Sequence, residues 1–285
     1  MSLSKPRPIL NDMPYHIKKM IVESIPSFLD RLPLRKVSKE FMRIVDTAKV
    51  ELTIGIYHKT VTVRRGISPN DERVKEHATI TEAIDHFKWF VSKQNVTFVA
   101  IIITGDQPFC VELLEMLTAT VYRPLRVKRF GMIGGGQARI LEFMEPGTLE
   151  QVRLCTVNQD EAEKILRMNQ WRRAKDVFLR GISAGCEACW DNPKFYILHN
   201  HSIKLIDLPR ILEHISKSDT FVCSKIHTFW TIEAIVEAFG GDGWQWKQDT
   251  TRCAEKEFSV RRHGFRIVVQ VYENRVEFEL KESEQ

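Results

Sequence analysis

The sequence predicts an α/β protein: a short three-helix segment at the N-terminus, an irregular leucine-rich-repeat-like α/β solenoid, and a C-terminal β-meander that caps it. Three observations predict this. Residues 9–46 carry apolar side chains at helical spacing. From residue 96, apolar strands alternate with helical segments and recur about every 24–28 residues, in or close to the leucine-rich-repeat range. From residue 257 the pattern changes to the two-residue alternation of half-buried strands, with turn residues between them.

Hydrophobic content of 43% and charged content of 28% suit a soluble globular protein. A chain of 285 residues is long enough for one large domain or two smaller ones. The net charge of +5 is mild and dispersed. It allows an acidic partner, but no nucleic-acid signature accompanies it. The opening MSLSKPRPIL has prolines where a secretory signal needs an apolar stretch, so no signal is expected. No apolar run nears the ~20 residues that span a bilayer, so no membrane partner is expected either. The six cysteines (Cys110, Cys155, Cys186, Cys189, Cys223 and Cys253) are scattered, which fits reduced thiols in the cytoplasm or nucleus.

Residues 1–8 read as a flexible lead. In the first helix Ile17, Ile21 and Ile25 recur every fourth residue with Met20 beside them, while Lys18, Lys19 and Glu23 fall on the other face. Pro14 suits the first turn, and Pro26 ends the helix. A turn with Phe28, Leu29 and Leu32 follows. Pro33 then opens a second clear helix with Leu34, Val37, Phe41, Ile44 and Val45 on one face. So small a unit buries little apolar surface by itself and needs something to lean on.

The order Leu10, Met13-Pro14, Ile17, Ile21, then Leu34-Arg35-Lys36-Val37-Ser38-Lys39 and Phe41, resembles the F-box over the whole of residues 9–46. It departs at Met13, where Leu is usual, and at His16, where Glu is common. The resemblance implies that this segment binds the Skp-type adaptor of a Skp–cullin–F-box ubiquitin ligase. Leu10, Met13, Pro14, Ile17, Ile21, Leu34 and Val37 would supply the apolar interface.

Residues 47–95 lead into the repeats. VELTIGIYHKTVTVRRG, residues 50–66, reads as a hairpin or two short strands, ISPNDERVKEHATI as a polar loop, and TEAIDHFKWFV, residues 81–91, as a helix. VTFVAIIIT, residues 96–104, is almost wholly apolar, as a strand covered on both faces would be. Further strands are expected within 124–130, 148–157, 173–181, 201–206 and 220–226, with helices at CVELLEML, QARILEFM, DEAEKILRM and PRILEHIS. IEAIVEAF reads as a helix and GGDGWQWKQDT as a glycine-rich turn. Strands then follow with His263-Gly264 and Glu273-Asn274 as turns.

PGTLEQVRL followed by MNQWRRAKDVFLRG, with Gln170-Trp171 and Ala174-Lys175, is similar to the FTH domain (DUF38), the F-box-associated domain of the large nematode F-box A family. The likeness runs from about residue 90 to the end, giving a repeat-like substrate-binding domain at 96–285. The resemblance implies a substrate-recognition subunit, non-catalytic and without a cofactor. The F-box would hold the ligase, and the C-terminal domain would hold a target protein that becomes ubiquitinated. A large family of this kind suits diverse targets, foreign or harmful proteins included.

Other chemistry is weighed beside this. Cys186-x-x-Cys189 with His199 and His201 offers zinc-type donors, but the nine-residue gap and the single residue between the histidines do not match standard fingers. Ordinary thiols and surface histidines are expected, and no metal. Trp244 and Trp246 lie in the glycine-rich turn and are candidates for contact with the target. RFGMIGGGQARIL, residues 129–141, reads as strand, glycine loop and helix, a shape that cradles phosphates. Neither the Walker order nor the dinucleotide order of glycines is present, so a strand-to-helix corner is the better reading. Two alternatives stay open: a non-degradative scaffold or inhibitor that uses the F-box without a cullin, and a nucleotide-binding enzyme using the 131–137 loop.

Overall fold

The computed structural model describes residues 13–25, 31–47, 50–65, 72–93, 96–155, 159–180, 190–198, 204–247, 253–262 and 264–283. Helix α1 (Tyr15–Ser24), a 3-10 turn (Leu32–Lys36) and α2 (Lys39–Thr47) come first, then β1 (Val50–Tyr57), β2 (Thr60–Arg65), β3 (Glu72–Glu76) and α3 (Ile80–Val91). Strand and helix then alternate: β4 (Val96–Thr104), α4 (Gln107–Thr120), β5 (Val127–Ile133), α5 (Gln137–Leu141), β6 (Gln151–Cys155), α6 (Gln159–Arg167). The one-turn α7 (Asn169–Arg172), β7 (Asp176–Arg180), β8 (Lys194–Leu198), α8 (Asp207–Ser216), β9 (Cys223–His227) and α9 (Ile232–Ala238) continue the series. Four strands close the chain: β10 (Gln245–Lys247), β11 (Cys253–Ser259), β12 (Phe265–Tyr272) and β13 (Arg275–Glu282).

The strands form one open sheet in the order β10-β11-β12-β13-β9-β8-β7-β6-β5-β4-β1-β2-β3. Its middle is parallel and runs in sequence order, each strand from β4 to β9 lying beside the one before it. β1 joins β4 in parallel, while β2 and β3 extend that side antiparallel. At the other side β13 pairs antiparallel with β9, and the meander β13-β12-β11-β10 carries the sheet onward.

Register sorts the side chains. Ile101, Phe130, Val152, Val177 and Phe195 stand in one row across β4 to β8, and all are buried. They share a single apolar cluster with Leu113 and Leu117 of α4, Ile140 of α5, Ile165 of α6, Trp171 of α7 and Ile211 of α8. The helices therefore cover one face. Alternate residues on β5 to β9 turn to the other face and are more exposed. Local chemistry starts the helices where the sequence has capping residues: Thr79, Asp106 and Thr231 each accept the backbone N–H three residues on. Hairpin turns fall at His58-Lys59 and Glu273-Asn274, where His58 and Asn274 take the left-handed conformation.

Several expectations need correction. The polar loop ISPNDERVKEHATI contains β3, an edge strand held by backbone pairing to β2 and left uncovered at Val74, so it needs no apolar pattern. The strand expected at 201–206 is instead KFYIL at 194–198. Lys204–Ile206 lie ahead of α8, where the Lys204 N–H donates to the Asp207 carboxylate at 2.7 Å, and 201–203 lie outside the described residues. The helix expected from Pro33 is split: the 3-10 turn ends at Lys36, and the Ser38 hydroxyl accepts the Phe41 N–H at 3.2 Å to begin α2. The glycine-rich turn ends in β10.

Asn192 is buried in the turn before β8, and its Nδ2 donates to the carbonyls of Trp171 at 3.1 Å and Ala174 at 2.9 Å. Asn192→Ala removes the side-chain donor from both carbonyls, although the Trp171 carbonyl keeps the Ala174 N–H at 3.1 Å, so the urea midpoint should report a loss of about 1–3 kcal/mol.

His86 on α3 meets His77 across 3.1 Å. Burial, then the charge of Lys75 and the neighbouring His77, lower its pKa to about 4. Below the ordinary histidine value near 6.5 the unfolded chain binds a proton that the folded chain refuses. Stability is therefore full above about pH 6.5 and declines as pH falls toward 4. His86→Leu should flatten that decline relative to the parent protein in denaturation measured across pH 4.5–7.

Candidate functional site

α1 packs on α2, with Val22, Phe41, Ile44 and Val45 buried in the main apolar cluster. The buried residues of α1 are Val22 and Lys18, while Ile17, Ile21 and Ile25 of the isoleucine stripe are half-buried. The Lys18 amine is buried, pairs with the Glu40 carboxylate and lies 6.0 Å from the centre of the Phe41 ring. A buried ammonium needs such a partner, because desolvation of an unpaired one costs several kcal/mol. Arg31 ties down the end of α1, donating from Nε to the Ile25 carbonyl at 2.9 Å and from Nη2 to the Glu23 carbonyl at 3.2 Å.

This packing leaves apolar side chains facing outward. Met20 is 63% exposed, Tyr15 53% and Val37 41%. Of the residues expected to meet an adaptor, Pro14 and Val37 are exposed, and Met13, Ile17, Ile21 and Leu34 are half-buried. Leu10 lies outside the described residues. Ile17 and Ile21 are one turn apart on α1, while Leu34 and Val37 bracket a turn closed by the Val37 N–H on the Leu34 carbonyl at 3.0 Å. Tyr15 and Met42 join the exposed apolar set. Their only trace in the sequence is an apolar residue off the core stripe.

The glycine loop between β5 and α5 is built as a corner. Gly134 has φ +138°, and a Cβ there would lie 2.5 Å from the Gly105 carbonyl oxygen. The buried Gln137 amide donates to the Gly134 carbonyl at 2.6 Å and also to the Cys155 carbonyl. The Ala138 N–H, which an anion at this helix start would seek, is already given to the Glu161 carboxylate at 3.0 Å. A protein carboxylate thus stands where a phosphate would have to sit.

The uncovered sheet face carries the remaining chemistry. On β9 to β13 its charges are paired: the Glu277 carboxylate lies 3.2 Å from the Lys225 amine and 2.7 Å from Arg275 Nε, and Glu255 accepts from Lys247 at 2.7 Å. Gln151 on β6 donates to Asp176 on β7 at 2.8 Å. Cys155 on the same face is raised above the ordinary thiol range by burial, against the opposing pull of Arg180 and Arg153. Its thiol therefore stays protonated at neutral pH.

Residues 110–242 match the family model of the FTH domain. The chain carries an FTH domain. No curated protein matches the chain. The matched segment starts in α4, contains every strand from β5 to β9, and ends just after α9. The parallel middle of the sheet is thus mostly FTH domain, and the meander follows it.

Trp244 and Trp246 lie just beyond that segment and are not alike. Trp244 is half-buried, its ring 5.9 Å from Phe239 and 6.5 Å from Phe258, whereas Trp246 on β10 is 47% exposed. Cys186, Cys189, His199 and His201 fall within the FTH domain but outside the described residues. Among the described residues no cluster of three or more His, Cys, Asp or Glu could hold a metal ion. Nor is any helix among them long and apolar enough to cross a membrane.

The corner makes different demands on its glycines. Gly134→Ala adds strain and a clash, so it should lower stability by about 2–4 kcal/mol in urea unfolding. Gly135 has open space around its Cβ position, so Gly135→Ala should leave the midpoint almost unchanged.

Proposed function

We propose that this protein is a substrate-recognition subunit of a Skp–cullin–F-box ubiquitin ligase. In this reading residues 9–46 are an F-box that holds the Skp-type adaptor, residues 47–95 lead into the sheet, and residues 96–285 present a target protein for ubiquitination. The observation that carries it is the outward apolar set on the N-terminal helices, ahead of an FTH domain. Pro14 and Val37, at positions of the F-box pattern, are among the exposed residues. A helical unit whose buried residues already pack on its own domain, and which still exposes apolar side chains, suits a protein partner.

The unbroken parallel strand order supports reading the FTH region as a short, irregular solenoid with the meander as its cap. Its work needs no nucleophile and no cofactor. Holding target lysines beside a charged ubiquitin-conjugating enzyme raises their effective concentration, and proximity of this kind accounts for large rate gains. The protein would act in the cytoplasm, the nucleus or both, where such ligases meet their targets.

Co-purification with a Skp-type adaptor tests the reading. The intact chain should retain the adaptor, and Pro14→Ala combined with Val37→Glu should weaken retention at least about tenfold, as loss of an apolar anchor does. Thermal melting should be unchanged, since neither residue is in the core. No retention by the intact chain would end the ligase role. Adaptor bound without cullin would favour the scaffold reading instead.

A further inference from the structure

Among the described residues, the sheet face opposite the helices holds three cations without a charged partner. Arg153 on β6 and Arg180 on β7 are exposed, Arg129 on β5 is half-buried, and none of the three makes an ion pair among the described residues. The same face over β9 to β13 behaves differently, because Lys225 and Arg275 both pair with Glu277 and Lys247 pairs with Glu255. The three arginines stand on neighbouring strands of the parallel middle, with Lys194 on β8 further along the same face, opposite Asp176.

Register gives these arginines an order. Arg129 lies opposite Gln151, Arg153 opposite Gly131 and Phe178, and Arg180 opposite Cys155. Each arginine is one strand over and two residues further along than the last, a diagonal step of about 8 Å. Carboxylates on alternate residues of an extended segment are about 7 Å apart, within reach of flexible guanidinium groups spaced this way.

Gly131 is the second observation. It sits in the interior of β5 on this face, its φ is not left-handed, and a Cβ there would meet nothing closer than 3.9 Å. Neither backbone conformation nor packing calls for glycine. Its effect is to leave a floor without side chain beside Arg153, where another backbone can approach closely. Ile133, exposed on the same strand, and the half-exposed Phe178 give apolar contact at the rim.

The geometry points to an acidic, extended segment of a partner protein as the occupant of this diagonal, with Arg129, Arg153 and Arg180 meeting alternate carboxylates over Gly131. This rests on the reading of the FTH region as the part that holds the target, and it names the chemistry by which the target is held. Fork-shaped guanidinium groups bind carboxylates in pairs of hydrogen bonds, so the match selects acidic side chains and not only bulk charge.

The full chain should be titrated, by fluorescence anisotropy at low salt, with a labelled peptide of about ten residues carrying glutamate at alternate positions and serine between, long enough to cross the three strands. Peptides with glutamine or lysine at those positions and a single-stranded oligouridine of similar length are the comparisons. The glutamate peptide should bind at least tenfold more tightly than the glutamine and lysine peptides and the oligouridine. Arg153→Glu with Arg180→Glu should weaken it at least tenfold, and so should Gly131→Leu, which fills the floor without changing charge. Equal binding of the glutamate and glutamine peptides, or binding indifferent to both variants in folded protein, overturns the proposal. Tighter oligouridine binding through the same arginines overturns it in favour of nucleic acid. Adaptor retention is read in parallel on every variant: its loss from the parent protein with peptide binding intact would sink the ligase reading alone, and the reverse would sink the docking site alone.

Discussion

Phe130, Val152, Val177 and Phe195 stand side by side on four parallel strands, each buried and each one register step from its neighbours. The rest of the molecule depends on that row. Side chains alternate along a strand, so fixing one residue of each strand inward fixes every other residue on it. A slip of one residue would send Arg153 into the helices and Val152 into water. The same constraint that seals the core therefore also places the charged face, without any separate instruction for the surface.

The helices answer to the row as well. Ile140, Ile165, Trp171 and Ile211 belong to the same cluster although they come from helices of very different length, four residues in α7 and ten in α8. Short helices of this kind have little stability alone and persist through the face they bury. The N-terminal helices join that cluster through Val22 and Phe41, so they are anchored on the sheet rather than carried as a separate bead. Lys18 is the price of that anchoring, made tolerable by Glu40.

Much of this was readable beforehand, for physical reasons. The central strands were legible because VTFVAIIIT, EQVRLC and KDVFLR combine β-branched or apolar residues with clear breaks. The turn at Glu273-Asn274 was legible from turn chemistry, whereas the paired strands around His58-Lys59 were legible only from their β-branched residues. β3 was not, since an edge strand takes its stability from the backbone of β2 and leaves little mark on side-chain choice. KFYIL was missed because the apolar HSIKLI nearby carries the same signal, yet residues 204–206 lead into α8, where the Asp207 carboxylate accepts the Lys204 N–H. The burial of Lys18 on α1 was not legible, because a lysine counts as polar until a glutamate 22 residues later is brought beside it. As for the site, the F-box positions were legible as a pattern. The arginine diagonal was not, because it exists only across strands and needs the register to be seen.

Among the described residues the sheet ends in two edge strands, β3 and β10, each with one side that no described strand pairs. Lys75 and Glu76 project from one edge and Gln245 and Lys247 from the other, all exposed. Side chains of this type make a second copy a poor continuation of the ladder. Val74 and Trp246 are exposed on the same two strands, so these polar residues are what stands between an apolar edge and a second sheet.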